Sequence, residues 1–378
     1  MQQKSPKNTG QISNLKILKV RRFLQTYHVD AVLISSITNI IYLTSYSGFS
    51  YHERDAYILI TKYQQYLFTN TLYFEEVKTV VKDFQIYEIN KNNPFPKLLT
   101  KLIRENNIQT LGIESDNLTL KEYQDLQKNI KIKFKSLSLS SLRIQKTDEE
   151  IKKINQACNL GDKAFDFILK FIRPGITEKD IAFEIETFIR KNGGEVAFPT
   201  IVGFGSNSAI PHHKTNNTVL RNNDIILIDF GVRLNNYCSD MTRTFFIGKP
   251  TQEQNIVYNI VRKAQKKALE LLYHKLVYDT QRRYITAASL DKIVREYILS
   301  QGYPSIPHSL GHGIGIQVHE PPALSPTSKD KLTDGMVFSI EPGIYLPGRF
   351  GIRIEDIFAI QNSKLIQLTN ASVSLLQI

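Results

Sequence analysis

Apolar and polar positions switch between two periods along the first 135 residues of this chain. The runs at 30–35, 56–60, 85–89 and 110–114 are short, rich in Ile, Leu, Val and Tyr, and bounded by polar residues, which predicts strands. Segments 73–80, 95–105 and 119–128 carry helical spacing instead. Ahead of them Leu15, Leu18 and the Phe23–Leu24 pair recur at helical intervals and predict an amphipathic first helix. This alternation is that of an α/β domain. The Ser-rich stretch 136–141 breaks it, so the sequence divides into a domain over 1–135, a linker over 136–147 and a second domain over 148–378.

The second domain opens on Thr147 with Glu150 three residues later, a capping box whose side chains satisfy free amides at a helix start. Ile151, Ile154, Ala157, Ala164, Phe165, Ile168 and Leu169 then keep one helical face apolar until Pro174–Gly175. A second helix runs from Thr177 to Gly193–Gly194, and strand-like segments follow to about 247. The order repeats. Thr251 caps a helix with Val257, Val261, Ala264, Ala268 and Leu271 on one face, a fourth helix spans 287–300, and strands return over 316–360. Two helix–helix–strands blocks predict an internally duplicated α+β domain, a sheet core backed by helices.

A length of 378 residues suits two domains, and no apolar run approaches the roughly 18 residues needed to span a bilayer. Cys158 and Cys238 match neither a disulfide framework nor a zinc spacing, which suits a reducing, cytoplasmic compartment. The net charge of +12 raises a nucleic-acid partner, but the basic residues are scattered, so a lysine-rich solvated surface accounts for it better. Residues 1–29 are basic and acid-free like a transit peptide, yet their apolar spacing leads directly into the first strand.

The last third of the chain carries the chemistry. Asp229 ends the apolar run 225–228, and Asp240 follows Asn235–Asn236. If those asparagines form a two-residue hairpin loop, Asp229 lies opposite Thr242 and diagonal to Asp240, on one face of the pair. His312 stands between Gly311 and Gly313, where missing side chains let the backbone approach a site. Glu341 closes the apolar strand 337–340, and Glu355 shares a strand face with Arg353. Singly, these are turn acids, a glycine-flanked histidine and a structural salt bridge. Gathered in one interior site, four carboxylates would repel one another, and two divalent metals are the compensation that predicts a dinuclear hydrolase.

Taken together, 228–231 (Ile-Asp-Phe-Gly), 239–243 (Ser-Asp-Met-Thr-Arg), 311–315 (Gly-His-Gly-Ile-Gly), 319–322 (His-Glu-Pro-Pro), 340–343 (Ile-Glu-Pro-Gly) and 351–356 (Gly-Ile-Arg-Ile-Glu-Asp) resemble the pita-bread metallopeptidases. Those are the Xaa-Pro aminopeptidases, prolidases and methionine aminopeptidases. The entry sequence 142–151 and the segment Thr38-Asn-Ile-Ile-Tyr-Leu43 are similar to the catalytic domain's start and to the creatinase-type amino-terminal domain of the proline-specific branch. The resemblance implies an α/β amino-terminal domain followed by a pita-bread catalytic domain. It implies an exopeptidase that cleaves between a first residue and a following proline, in a dipeptide or longer peptide. It also implies a ligand set: Asp229 on one metal, Asp240 and Glu355 bridging, His312 and Glu341 on the other metal. Glu341 would double as general base, and His212 and His319 would flank the scissile carbonyl, leaving His213 a bystander. Arg353 is expected to orient Glu355 or meet a substrate carboxylate, and Thr242 to hold a ligand carboxylate.

Four oxygen donors against one nitrogen favour manganese, with cobalt or zinc as substitutes. The proline nitrogen has no hydrogen to donate, so its recognition rests on shape, with Phe204, Tyr345 and Phe350 as candidates. A peptide partner, a homodimer and no membrane or nucleic-acid partner complete the expectation. Its rivals are a creatinase-like amidinohydrolase, which dispenses with the metal ligands, and an inactive pita-bread scaffold binding protein or RNA.

Overall fold

The computed structural model describes residues 9–278 and 285–373, and the chain forms two compact units, Met1–Arg143 and Ile144–Ile378. The Ser-rich stretch expected as linker instead begins inside a strand, Lys133–Leu137, and the division falls after Arg143.

In the first unit a six-stranded mixed sheet runs in the order Gln85–Ile89, Gln65–Asn70, Ala56–Thr61, Ala31–Ile34, Thr110–Glu114, Lys133–Leu137. Leu33, Leu59, Phe68, Leu99, Leu102 and Leu111 pack between one sheet face and the helices. Two elements escape sequence pattern. Ile37–Thr44 is a helix although five of its eight residues are β-branched, a composition that favours strands. Its start is held by Glu114, which accepts the backbone amides of Ser35 and Ser36 at 2.6 and 2.8 Å and thereby places a carboxylate at the positive end of the helix. The first helix, Thr9–Thr26, forms as predicted but turns another face inward. Leu15 and Leu18 are exposed, and Ile17, Val20, Phe23 and Leu24 are buried.

The second unit contains the two expected blocks. Helices Asp148–Ile168 and Glu178–Lys191, both started by capping boxes, back the sheet of Ile201–Phe204, Ile225–Phe230 and Met241–Phe246. Helices Gln252–Tyr278 and Ala287–Ser300 back a five-stranded sheet that includes Gly311–Gly313, Val337–Ile340 and Asp356–Gln361. The hairpin register follows from its turn. Asn235 and Asn236 adopt φ of 52° and 71°, Leu234 pairs with Tyr237, and the count carries through to Thr242 opposite Asp229. Among the described residues no helix is long and apolar enough to cross a membrane.

The segment around Thr369 and Ala371 is tied into this unit. Buried Arg243 donates to Asp356 at 2.6 Å, to the Glu355 carbonyl at 2.5 Å and to the Ala371 carbonyl at 2.8 Å. Thr369 adds a hydrogen bond to Asp356 at 2.8 Å. The backbone at Glu355 is thus fixed by Arg243, which Ala371 holds in turn, while Thr369 holds the adjoining Asp356.

Candidate metal centre

Five side chains on strands or immediately beside strand ends converge on a cavity of about 710 Å³. Asp229, Asp240 and Glu355 form one set and His312, Glu341 and Glu355 another, with the ligating atoms of each set within 4.8 Å of one another. A third set joins Asp240, His312 and His319, so His319 stands closer to the acids than a purely substrate-facing residue would. Every sequence-predicted ligand is present. His212 lies at the exposed rim of the same cavity.

Local structure explains each placement. Asp229 is the last residue but one of a strand buried along its whole length, and its carboxylate lines the cavity. The backbone amide of Glu341 is held by the Leu310 carbonyl at 2.8 Å and that of Glu355 by the Thr242 carbonyl at 3.1 Å. Thr242 Oγ1 donates to Glu355 Oε2 at 2.7 Å. His312 is pinned through its backbone amide to Ser339 Oγ at 3.0 Å. Gly311 makes that approach possible, since a Cβ there would lie 2.1 Å from the Ser339 carbonyl oxygen. Gly311→Ala is therefore expected to displace His312, to cost roughly 1–3 kcal/mol of stability and to lower bound metal, read by thermal melting and elemental analysis.

The electrostatics are those of a site missing positive charge. Asp229 Oδ1, Asp240 Oδ1 and Glu355 Oε1 are buried without a hydrogen-bond partner, a costly arrangement for carboxylates. Burial, and then Glu355, Asp229 and Glu341, push Asp240 well above the usual carboxylate range. Burial and then Asp229 hold Glu355 up at about 8. Burial lowers His312 to about 3, so its ring is neutral. Its Nδ1 faces the Gly313 carbonyl at 3.2 Å, which leaves the Nε2 lone pair aimed at Glu341 Oε1 (3.4 Å) and Asp240 Oδ2 (3.6 Å). A lone pair facing two carboxylate oxygens requires a cation or a proton between them. The donor set fits divalent metal ions.

Comparison with known proteins agrees. Residues 152–362 match metallopeptidase family M24, and residues 16–145 match the Creatinase/Prolidase N-terminal domain. The chain belongs to metallopeptidase family M24. It is 36% identical over 370 residues to the Xaa-Pro dipeptidase of Pyrococcus horikoshii, covering 97% of this chain and 99% of that relative. Among solved structures it resembles an Xaa-Pro dipeptidase from Bacillus anthracis (TM-score 0.87, 32% identity, 97% of this chain and all of that one). It likewise resembles an X-Pro aminopeptidase from Thermotoga maritima (TM-score 0.83, 35% identity, 94% and 100% covered). This M24 chain is accordingly a metal-dependent peptidase with a creatinase-type amino-terminal domain and a pita-bread catalytic domain, and the family implies divalent metal ions.

Several expectations about this M24 site change in the structure. Arg353 does not bond Glu355. Its Nη2 donates to Asp229 at 2.5 Å, its Nε to Thr242 at 2.9 Å and its Nη1 to Tyr345 Oη at 2.9 Å. Phe204, Tyr345 and Phe350 are buried and none lines the cavity; its aromatic wall is Phe198. His308, unremarked in the sequence, lines the cavity instead. Its Nδ1 donates to the Ser309 carbonyl at 2.8 Å and its Nε2 accepts from Tyr345 Oη at 2.9 Å. A chain of donors therefore runs from Arg353 through Tyr345 to His308, and burial keeps that histidine neutral, at about 4. Its position four residues before His312 was the only available signal. Glu320 turns away from the cluster to pair with Lys146 at 2.8 Å. His213 has a structural partner: its ring faces the buried Glu178 carboxylate at 2.8 Å.

Proposed function

We propose that this chain is a dinuclear-metal exopeptidase that hydrolyses the bond between an amino-terminal residue and a following proline. The observation that carries the reading is a pair of features in one cavity with an apolar wall: partnerless buried carboxylate oxygens on Asp229, Asp240 and Glu355, and a His312 lone pair facing Asp240 and Glu341. Its substrate class is supported by the relatives, which are named for Xaa-Pro dipeptidase and X-Pro aminopeptidase activity.

When bound, two divalent cations supply Lewis acidity toward water and the scissile carbonyl. Asp229 holds one side of the site, with Arg353 fixing its second oxygen. Asp240 and Glu355, the two carboxylates that recur among the ligand sets, would be shared between the cations, and His312 and Glu341 would complete the other side. Glu341 accepts the proton of the attacking water and returns it to the departing proline nitrogen, which has no hydrogen of its own in the substrate. His212 and His319 donate N–H groups to the oxygen on which negative charge develops. Manganese is the preferred ion for a site with four carboxylates and one imidazole. Cytoplasmic location is supported by two free, buried cysteines, and assembly as a homodimer by the family resemblance alone.

Full-length protein loaded with Mn²⁺ is expected to retain about two metal equivalents and to release the first residue from Leu-Pro or Leu-Pro-Gly but not from Leu-Ala. Protein that retains no metal, or that cleaves all three alike, rules this function out.

A further inference from the structure

Two lysine or arginine side chains line the cavity, Arg353 and Lys214. Arg353 is fully engaged with Asp229, Thr242, Tyr345 and the Pro211 carbonyl, and it cannot turn to a substrate without exposing them. Lys214 is exposed and makes no hydrogen bond or ion pair to any described residue.

Its backbone, however, is held firmly. Exposure alternates along this stretch, with His212 and Lys214 outward and His213 buried between them. His213 is anchored to Glu178, a wholly buried carboxylate that also accepts from the Phe204 amide (2.9 Å), Asn207 Nδ2 (2.8 Å) and the Asn216 amide (3.0 Å). Glu178 thus fastens the chain on both sides of Lys214. Thr215 adds a second fixing: its hydroxyl donates to the Thr200 carbonyl at 2.8 Å and accepts from the Val202 amide at 2.9 Å. That ties Lys214 to the strand bearing Ile201, and Ile201, Pro199 and Phe198 all line the cavity. A cation is mounted beside an apolar wall.

We infer that Lys214 pairs with the terminal carboxylate of a substrate proline, which makes the Xaa-Pro dipeptide the preferred substrate; this rests on the Xaa-Pro reading above. In a dipeptide the pyrrolidine ring and the carboxylate share one carbon, so an apolar wall and an adjacent cation recognise them together. In a longer peptide the same carbon bears a neutral amide, and the cation gains nothing from it. Because the backbone of 213–216 is already fixed, binding has to order only the lysine side chain.

The test compares kcat/KM of the manganese-loaded full-length enzyme on Leu-Pro and on Leu-Pro-amide, for the natural chain, Lys214→Met and Lys214→Arg. The natural chain is expected to favour the free acid, and Lys214→Met to lower the acid-to-amide ratio about tenfold through KM, as loss of a hydrogen bond to a charged group does. Lys214→Arg should keep most of the preference. A natural preference for the amide, or a ratio unmoved by Lys214→Met while both substrates are cleaved, overturns the role of Lys214 alone. Cleavage of neither substrate overturns the Xaa-Pro reading and this inference with it.

Discussion

Asp240→Asn is expected to lower peptidase turnover by at least about a hundredfold, and at the same time to raise the melting temperature of the metal-free protein. Loss of a group that merely supports a metal ligand commonly costs 10- to 100-fold, and Asp240 lies at the centre of the cluster, within ligand distance of Asp229, Glu355, His312 and His319. Removing it should cost no less than the upper end of that range. The opposite sign on stability arises because Asp240 is a buried carboxylate among Glu355, Asp229 and Glu341, with one oxygen lacking any partner. Without cations it is a liability to the fold, and the amide relieves it. A residue retained for structure alone would lower both quantities. Steady-state kinetics with added Mn²⁺ and calorimetry in chelator decide the matter, and a rate loss below tenfold would remove Asp240 from the chemistry.

Protein stripped by chelator should melt lower as pH rises from about 5 to about 8.5, by on the order of 10 °C in the catalytic unit. Glu355 is held at about 8 by burial first and Asp229 second, against an ordinary value of 4.5, and Asp240 and Glu341 are displaced in the same direction. A folded-state value above the unfolded one means that the native state binds protons more tightly. The stabilisation from those protons is complete below the ordinary carboxylate value and is lost as pH climbs through the raised one. Divalent ions replace the protons, so saturating Mn²⁺ should flatten the slope and release protons on binding. Parallel pH profiles with and without metal would show that the carboxylates are not titrating against cations.

How much of this could be read from the residues varies with the range of the interaction. The Asn235–Asn236 turn and the two-residue period of strands were enough to set Thr242 opposite Asp229, because both rules are local. The capping boxes at Thr147 and Thr177 were legible for the same reason. Convergence of His312, Glu341 and Glu355 on that hairpin follows from no local rule, and the motif resemblance alone anticipated it. The inward face of the first helix was misjudged because apolar residues occupy two overlapping registers, Leu15 and Leu18 beside Ile17 and Val20, and only the packed sheet selects between them. Arg353 was expected to serve its strand neighbour Glu355, whereas its side chain crosses to Asp229 on another sheet. Glu178 gave no signal at all, since an acid in the first turn of a helix is ordinarily there for the dipole.

The fastening of Glu355 by Arg243, itself tied to Ala371, with Thr369 on the adjoining Asp356, bears on shortened forms of the enzyme. Arg243 and Asp356, which support that acid's backbone, each lose a partner in a chain cut ahead of Thr369. Weaker metal retention in such a shortened chain, with all five expected ligand side chains untouched, is the expected consequence.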